Sequence, residues 1–296
     1  MCSRRSHVWY IALVLLVGIM LVGCVPPGKR ELTFIPPLLG ASQFPQMRGP
    51  AQQLAAYLTQ QSGIKVGVFV PTDYGNTLLG LKDWKYDIAY LPAGLYPRAE
   101  AELGVTPAFL VVVNGSPTED SAIWVKADSG INSLVDLRGK TIAAAEPSSA
   151  AGWVLPAAEL KRAGVDPISD VSVNFRAVDA DSLVDLLTGK ADAAFAPYSA
   201  LENKAVVDAG GASQLKALKE FKGVPIGVIV YNKTVLPYQT TKLRGALGAS
   251  AGAMGKDAKG NAIPLLQVFG WSGLVAAQPS DFDVIRASAK ELGMIQ

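Results

Sequence analysis

The chain has 296 residues, half of them hydrophobic, with 27 Lys and Arg against 25 Asp and Glu and a single His. Two of the basic residues lie in an N-terminal leader, and without them the basic and acidic residues balance, so no positive excess indicates a nucleic-acid partner. His7 and Cys2 also lie in this leader, which leaves no His and only Cys24 downstream and excludes a Ser-His-Asp triad and the usual zinc ligand sets. We therefore expect neither metal nor cofactor.

The first 23 residues have the pattern of a bacterial lipoprotein signal peptide. Two arginines precede the apolar run Val8 to Val22, and Gly23 and Cys24 follow it. A basic start, an apolar core and a small residue before the cleavage point are typical of secretory signals. A retained membrane anchor is the alternative, but this run is short for a span of about 17 residues. We predict a signal peptide at 1–23, lipidation of Cys24 and a tether at 24–30, which would hold the protein at the cell membrane, facing the periplasm or the exterior.

Beyond the tether, apolar strands alternate with amphipathic helices. The predicted strands are 32–35, 66–70, 87–91, 108–113, 122–126, 141–145, 171–175 and 192–196, and the predicted helices are 52–61, 74–81, 95–103, 156–163, 181–187 and 199–209. Nearly continuous Val, Ile and Leu strands separated by helices indicate parallel α/β sheets covered on both faces. The strands suffice for two sheets.

A weak internal repeat accompanies this pattern. The segments 78–80 and 87–90 read Leu-Leu-Gly and Asp-Ile-Ala-Tyr, and the segments 186–189 and 192–195 read Leu-Leu-Thr-Gly and Asp-Ala-Ala-Phe. Duplication of one α/β unit would explain this repeat, but so would the residue pattern that α/β units generally share. Under both, ligands would bind at the carboxyl ends of the strands.

The segment Glu146 to Trp153 is the strongest candidate for a binding site in the mature chain. It reads Glu-Pro-Ser-Ser-Ala-Ala-Gly-Trp, follows a predicted strand and opens a helix. Backbone N–H groups at such a helix start carry partial positive charge, so an anion is the natural guest. Ser148 and Ser149 can add hydroxyl donors, or one of them can cap the helix. Pro156 fits the first turn of the regular helix.

Four segments together carry a family resemblance. They are Thr72-Asp73-Tyr74, Asp87 to Leu91, Lys126 to Lys140 and Glu146 to Ser149. From about Leu32 to Asp283 the chain resembles the periplasmic binding proteins of phosphate, phosphite and phosphonate ABC importers, within the type II periplasmic binding protein superfamily.

The resemblance implies an α/β protein with the two-lobe type II periplasmic binding protein fold and a hinge of two crossing strands. Lobe one would comprise 31–120 plus 225–296, and lobe two would comprise 121–224. The implied function is a lipid-anchored, extracytoplasmic and non-enzymatic solute-binding protein of an ABC importer. It would capture a small anionic ligand (phosphonate, phosphite, phosphate or a related organic anion) between the lobes, hand it to the transporter permease and work as a monomer.

Family ligand contacts fall on residues of both lobes. Together with Ser148 from the helix start, the candidate ligand-binding residues are Tyr74, Tyr90 and Tyr96 in lobe one and Ser149, Ala150, Ala151, Asp179 and Tyr198 in lobe two. We expect no catalytic residue among them.

Several of these positions depart from the family pattern. Ala150 and Ala151 stand where the family has Thr and Ser, and Asp179 stands where it has His. The family's Asp near Tyr198 is also missing, and its Gly-Pro after the third strand is replaced by Pro-Ala. Two lost hydroxyl donors could cost about 3 to 6 kcal/mol of anion binding, or about two to four decades of affinity. An organic ligand with a smaller anionic head, or one with an amine that Asp179 or Glu146 pairs, fits the changes equally well.

Two other functions stay open at the level of sequence. A ligand-sensing lipoprotein that signals through a partner would have the same leader and lobes. An enzyme would use Glu146 and Asp179 as an acid and base pair.

Overall fold

The computed structural model describes residues 31–38 and 44–296, with side chains from Met47 onward in the second range. The predicted signal peptide, Cys24 and the tether lie outside the described residues. No helix of the described ranges is long and apolar enough to cross a membrane.

The first sheet gathers strands from both ends of the chain. Its strands are β1 (Leu32–Ile35), β2 (Val66–Val68), β3 (Ile88–Pro92), β4 (Thr106–Val112), β10 (Gly227–Tyr231) and β13 (Gly273–Ala276). They lie in the order β13-β4-β10-β3-β1-β2. Strands β1, β2 and β3 run parallel, whereas β10 is antiparallel to both of its neighbours, β3 and β4.

The second sheet is built from the middle of the chain. Its strands are β5 (Thr118–Lys126), β6 (Thr141–Ala145), β7 (Ser172–Arg176), β8 (Ala193–Pro197) and β9 (Leu215–Pro225). Their order is β7-β6-β8-β5-β9. Strand β6 is parallel to β7 and β8, and β5 is antiparallel to β8 and β9. A separate hairpin joins β11 (Met254–Lys256) to β12 (Ala262–Pro264).

Helices cover the sheets between these strands. They are α1 (Phe44–Ser62), α2 (Tyr74–Lys82), α3 (Tyr96–Leu103), α4 (Leu155–Arg162), α5 (Asp179–Leu187), α6 (Lys204–Asp208), α7 (Pro237–Ala249) and α8 (Asp283–Glu291). The predicted helix 199–209 is wrong as one element. A 3-10 turn (Tyr198–Glu202) precedes α6, because the Asn203 side chain accepts from the Ala205 N–H and starts a new helix.

The structure confirms the predicted strands of both sheets with small shifts in their ends, but the prediction of parallel sheets is wrong. Both sheets are mixed because the chain passes between them twice, from β4 to β5 and from β9 back to β10. The two crossing segments lie side by side, and the Ile226 N–H donates to the Pro117 carbonyl at 3.2 Å. These segments form the predicted hinge of two crossing strands.

The internal repeat has a structural counterpart. The Asp87 carboxylate accepts from the Thr33 N–H at 2.9 Å, and the Asp192 carboxylate accepts from the Thr141 N–H at 2.9 Å. In each sheet this bond ties the start of one parallel strand to the start of its neighbour. Both aspartates therefore fix strand register.

One apolar cluster extends across both sheets. It combines Leu91, Ala93 and Leu95 from the end of β3 with Trp153 and Val154 from the start of α4. The loop after β3 and the turn after β6 therefore pack against each other at the carboxyl ends of these strands, where a ligand is expected.

Candidate functional site

The turn after β6 is shaped by Ser149. Its hydroxyl oxygen accepts from the Gly152 N–H at 2.9 Å, and its carbonyl accepts from the N–H groups of Trp153 and Val154 at 3.2 and 3.0 Å. These bonds produce a π-helical turn over Ala150–Val154, after which α4 begins with proline in its first turn, as predicted. Ser149 therefore caps the helix start through its side chain.

The turn offers fewer free donors than the sequence predicts. The Ser149 N–H donates to the Glu146 carbonyl at 2.9 Å, and the Gly152 N–H donates to the Ser149 hydroxyl, so neither N–H group is free for an anion. The N–H groups of Ala150 and Ala151 donate to no described residue. Both alanine side chains are buried.

A loop of the first sheet lies directly on this turn. A β-carbon built on Gly94, just after β3, would lie 2.5 Å from the Ser148 carbonyl oxygen and 2.9 Å from the Ala150 nitrogen. The side chain of Val154 would also be 2.9 Å away. Only a residue without a side chain permits this approach, so the cleft between the sheets is closed at this point.

Tyr74, the first residue of α2, and Tyr90, on β3, lie near Glu146 of the turn. The Tyr74 hydroxyl oxygen accepts from the Leu38 N–H at 3.2 Å. The Tyr90 ring packs over Gly227, where a β-carbon would lie 2.4 Å from its hydroxyl oxygen. Burial raises the pKa of both phenols, and the negative charge of Glu146 adds to the rise. Both tyrosines are therefore neutral hydroxyl groups near Glu146.

Two other predicted contacts make bonds away from this group. The Tyr96 hydroxyl donates to Glu100 at 2.7 Å, and its ring packs on Phe282 with centroids 4.1 Å apart. The Tyr198 hydroxyl donates to Glu220, and its ring lies edge-on to Trp124 at 4.8 Å. The structure thus groups Tyr74 and Tyr90 with the turn, whereas the Tyr96 and Tyr198 hydroxyls are engaged elsewhere.

The negative charge of Asp179 acts on two other carboxylates, those of Glu119 and Glu146. Burial and the negative charge of Asp179 together raise the pKa of Glu119 to about 7, although the nearby Ser199 hydroxyl opposes the rise. Burial also raises the pKa of Asp179. Burial raises the pKa of Glu146, at the rim, where Ser148 opposes the rise and Asp179 adds to it. The described part of the chain has no group of three His, Cys, Asp and Glu arranged to hold a metal ion.

A pocket of about 370 Å³ opens beside Asp179, between the first turn of α5 and the 3-10 turn after β8. Its lining comprises Val178, Asp179, Ala180, Pro197, Ser199, Ala200, Glu202 and Asn203. The two charged residues of this lining, Asp179 and Glu202, are both acidic, so the pocket is negatively charged like the neighbouring cleft.

Sequence reasoning missed Glu119, Ser199 and Gly94. Glu119 lies at the start of β5, directly after the first crossing. An acidic residue at a crossing between the lobes could have indicated a site residue. Gly94 lies just after the carboxyl end of β3, next to Pro92 and Ala93, which replace the family's Gly-Pro. The Ser199 hydroxyl carries no local signal, because its importance comes from the distant Glu119.

A family model described as "ABC transporter, phosphonate, periplasmic substrate-binding protein" matches residues 44–282. The phosphate-import protein PhnD of Mycolicibacterium smegmatis is 25% identical over 263 residues, which is 83% of this chain and 81% of that protein.

Solved structures agree in fold. The protein XAC2383 from Xanthomonas citri, bound to ATP, superposes with a TM-score of 0.71 at 18% identity, covering 90% of this chain and 98% of the other. PhnD1 from Prochlorococcus marinus, in complex with methylphosphonate, gives a TM-score of 0.66 at 15% identity, with coverage of 90% and 99%. The fold is that of the two-lobe periplasmic binding proteins. The chain belongs to the family of periplasmic substrate-binding proteins of phosphonate ABC transporters.

Proposed function

We propose that this protein captures a small ligand with an acidic group in the cleft between its two sheets and delivers it, chemically unchanged, to the permease of an ABC importer. In this proposal the protein is a monomer that a lipid on Cys24 holds at the membrane. One lobe comprises 31–120 plus 225–296, and the other comprises 121–224. The observation that carries it is the contact of Gly94 with the turn at Ser148, which closes a cleft bordered by hydroxyl groups of both sheets.

The acidic group would bind at the π-helical turn. The N–H groups of Ala150 and Ala151 are the turn donors without a described acceptor. The Ser148 hydroxyl oxygen is buried and forms no hydrogen bond of good geometry with a described residue. Neutral Tyr74 and Tyr90 can donate from the opposite side of the cleft. The Mycolicibacterium relative is named for phosphate import and the Prochlorococcus protein was solved with methylphosphonate, which supports phosphate or a phosphonate as the acidic group.

Calorimetry and thermal melting of the purified protein with inorganic phosphate, phosphite and methylphosphonate test this function. We expect saturable but weak binding, because the turn lacks the family's hydroxyl side chains, and a higher melting temperature at saturation. Tyr90→Phe should weaken binding, and Tyr238→Phe, on an exposed tyrosine of α7, is the matched control. Conversion of a bound probe into product would contradict a transport receptor. Loss of uptake in a deletion strain separates import from sensing.

A further inference from the structure

Trp84 is exposed in a backbone conformation that usually belongs to glycine. Helix α2 ends at Lys82, and Trp84, two residues later, has a φ of 59°, in the left-handed region. The residues two places after the ends of α4, α5 and α8 share this conformation, and all three are glycines: Gly164, Gly189 and Gly293. A bulky side chain disfavours this region. Because Trp84 is also 58% exposed, core packing does not account for a tryptophan here.

The loop that carries Trp84, residues 82–86, is fixed to the rest of the first sheet. The Asn232 side-chain amide donates to the carbonyls of Leu81 and Tyr86, on either side of Trp84, at 2.8 Å each. Asn232 directly follows β10, and it is buried. The indole is therefore presented to the outside from a loop with a fixed position.

This loop lies at the edge of the sheet where the chain enters the fold. Asp87 follows the loop, and its carboxylate and N–H bond to the N–H and carbonyl of Thr33 at 2.9 and 3.1 Å. Glu31, two residues before Thr33, is the first residue that the structure describes. The proposed lipid on Cys24 is seven residues earlier, and seven residues span at most about 25 Å. A bilayer that holds this lipid must therefore lie within about that distance of Glu31.

Exposed lysines accompany Trp84 at this edge. Together with Trp84 they form what we call the Trp84 surface: Lys65, Lys82, Trp84, Lys85 and Lys233. The Lys233 ammonium lies over the Trp84 ring, 5.9 Å from its centroid. Two exposed acids lie beside the lysines, where Asp83 pairs with Lys85 at 3.1 Å and Glu31 pairs with Lys65 at 2.8 Å. Four lysines against these two acids leave an excess of positive charge.

We propose that the Trp84 surface docks on the anionic headgroups of the membrane to which the lipid attaches the protein. This inference rests on the lipid anchor in the proposed function. Tryptophan favours the headgroup level of a bilayer, and lysines are attracted to anionic lipids. A lipid chain combined with a basic patch also binds a membrane more firmly than the chain alone.

Docking in this orientation is compatible with ligand capture. The Trp84 loop directly precedes β3, whereas the candidate site lies beyond the carboxyl end of β3, at the opposite edge of the sheet. The docked protein would therefore direct its cleft away from the bilayer, towards the incoming ligand.

The fluorescence of Trp84 provides a direct test. The other tryptophans of the described ranges are buried, so quenchers in a membrane reach Trp84 selectively: Trp124, Trp153 and Trp271. The full chain, purified in its lipidated form, is reconstituted into vesicles of brominated phosphatidylglycerol or of brominated phosphatidylcholine, whose bromine atoms quench nearby indoles. We expect quenching to be at least about twofold stronger in the anionic lipid and to fall at high salt.

Lysine variants separate the Trp84 surface from positive charge in general. Lys85→Gln combined with Lys233→Gln should reduce the quenching. The matched control combines Lys204→Gln with Lys259→Gln, because both lysines are exposed and Lys204 pairs with an acid as Lys85 does. An equal reduction in the control pair would overturn the inference.

Trp84→Gly tests whether the tryptophan serves folding instead. Glycine takes the left-handed conformation without strain, so we expect an unchanged or higher melting temperature and loss of the quenchable emission. A large fall in melting temperature would make Trp84 a packing residue and would overturn the inference.

The remaining outcomes distinguish this inference from the lipid anchor. Firm attachment to vesicles without quenching of Trp84 overturns the inference and leaves the anchor standing. Quenching by added anionic vesicles, in a chain that mass spectrometry shows to carry no lipid, supports the inference and contradicts the anchor. Equal quenching in both lipids overturns the assignment to anionic headgroups. Protection of Trp84 from acrylamide in concentrated protein without vesicles would identify a second copy as the occupant and would also overturn it.

Discussion

Gly94 follows β3 of the first sheet and Ser148 follows β6 of the second, yet a β-carbon on Gly94 would lie 2.5 Å from the Ser148 carbonyl oxygen. The opposing atoms are mainly backbone, which cannot turn aside as a flexible side chain does. This contact therefore limits how closely the two sides of the cleft can approach.

Gly94→Ala should hold the cleft partly open. A methyl group at this site must either separate the sheets or strain the turn, and overpacking of this kind costs about 1 to 3 kcal/mol. We expect weaker binding of methylphosphonate and a larger radius of gyration in solution scattering at saturation. The control is Gly245→Ala in α7, where no atom lies within 4 Å of the added carbon. Unchanged affinity in Gly94→Ala would mean that closure does not require this contact.

The stability of the ligand-free protein should fall as pH rises from about 5 to about 8. The Glu119 pKa is raised from 4.5 to about 7, so between these values the folded state binds more protons than the unfolded state. Its contribution is complete at low pH and is lost as pH rises through about 7, and the raised pKa values of Asp179 and Glu146 act in the same direction. Denaturant unfolding at several pH values measures this slope, and Glu119→Gln should flatten it. A slope of opposite sign would mean that these carboxylates are not desolvated.

Ligand affinity supplies an independent pH test. Ionisation of Glu119 as the pH rises through about 7 should weaken the binding of a phosphonate, because the ionised carboxylate repels an anion. Calorimetry with methylphosphonate on both sides of this pH measures the trend, and Glu119→Gln should reduce it. An equal loss of affinity in Glu119→Gln would mean that the trend arises elsewhere.

Tyr96→Phe should affect stability rather than binding. The Tyr96 hydroxyl donates to Glu100, which also pairs with Arg286, so its loss removes one hydrogen bond of a network that links α3 to α8. We expect a loss of about 1 kcal/mol in the free energy of unfolding and unchanged affinity for methylphosphonate. A decrease in affinity as large as that of Tyr90→Phe would place Tyr96 in the site instead.

Cys24→Ala should prevent membrane attachment. If the leader is a lipoprotein signal, the variant will accumulate as an uncleaved or mislocalised chain. Cell fractionation and mass spectrometry of the N-terminus give the answer. Normal release of a mature protein that begins at another residue would contradict lipidation.

The sequence by itself determined the features that depend on neighbouring residues. The alternation of strands and helices, Pro156 in the first turn of α4 and the special turn after β6 follow from local patterns, and the family resemblance correctly supplied two lobes and a two-strand hinge. The antiparallel entry of β10, the contact of Gly94 with Ser148 and the grouping of Glu119 with Asp179 were decided only by tertiary structure. Each depends on residues far apart in the chain, and local patterns carry no information about such pairs. The charge of the cleft is likewise a sum over segments, because Glu119, Glu146 and Asp179 are each ordinary in their own stretch of sequence.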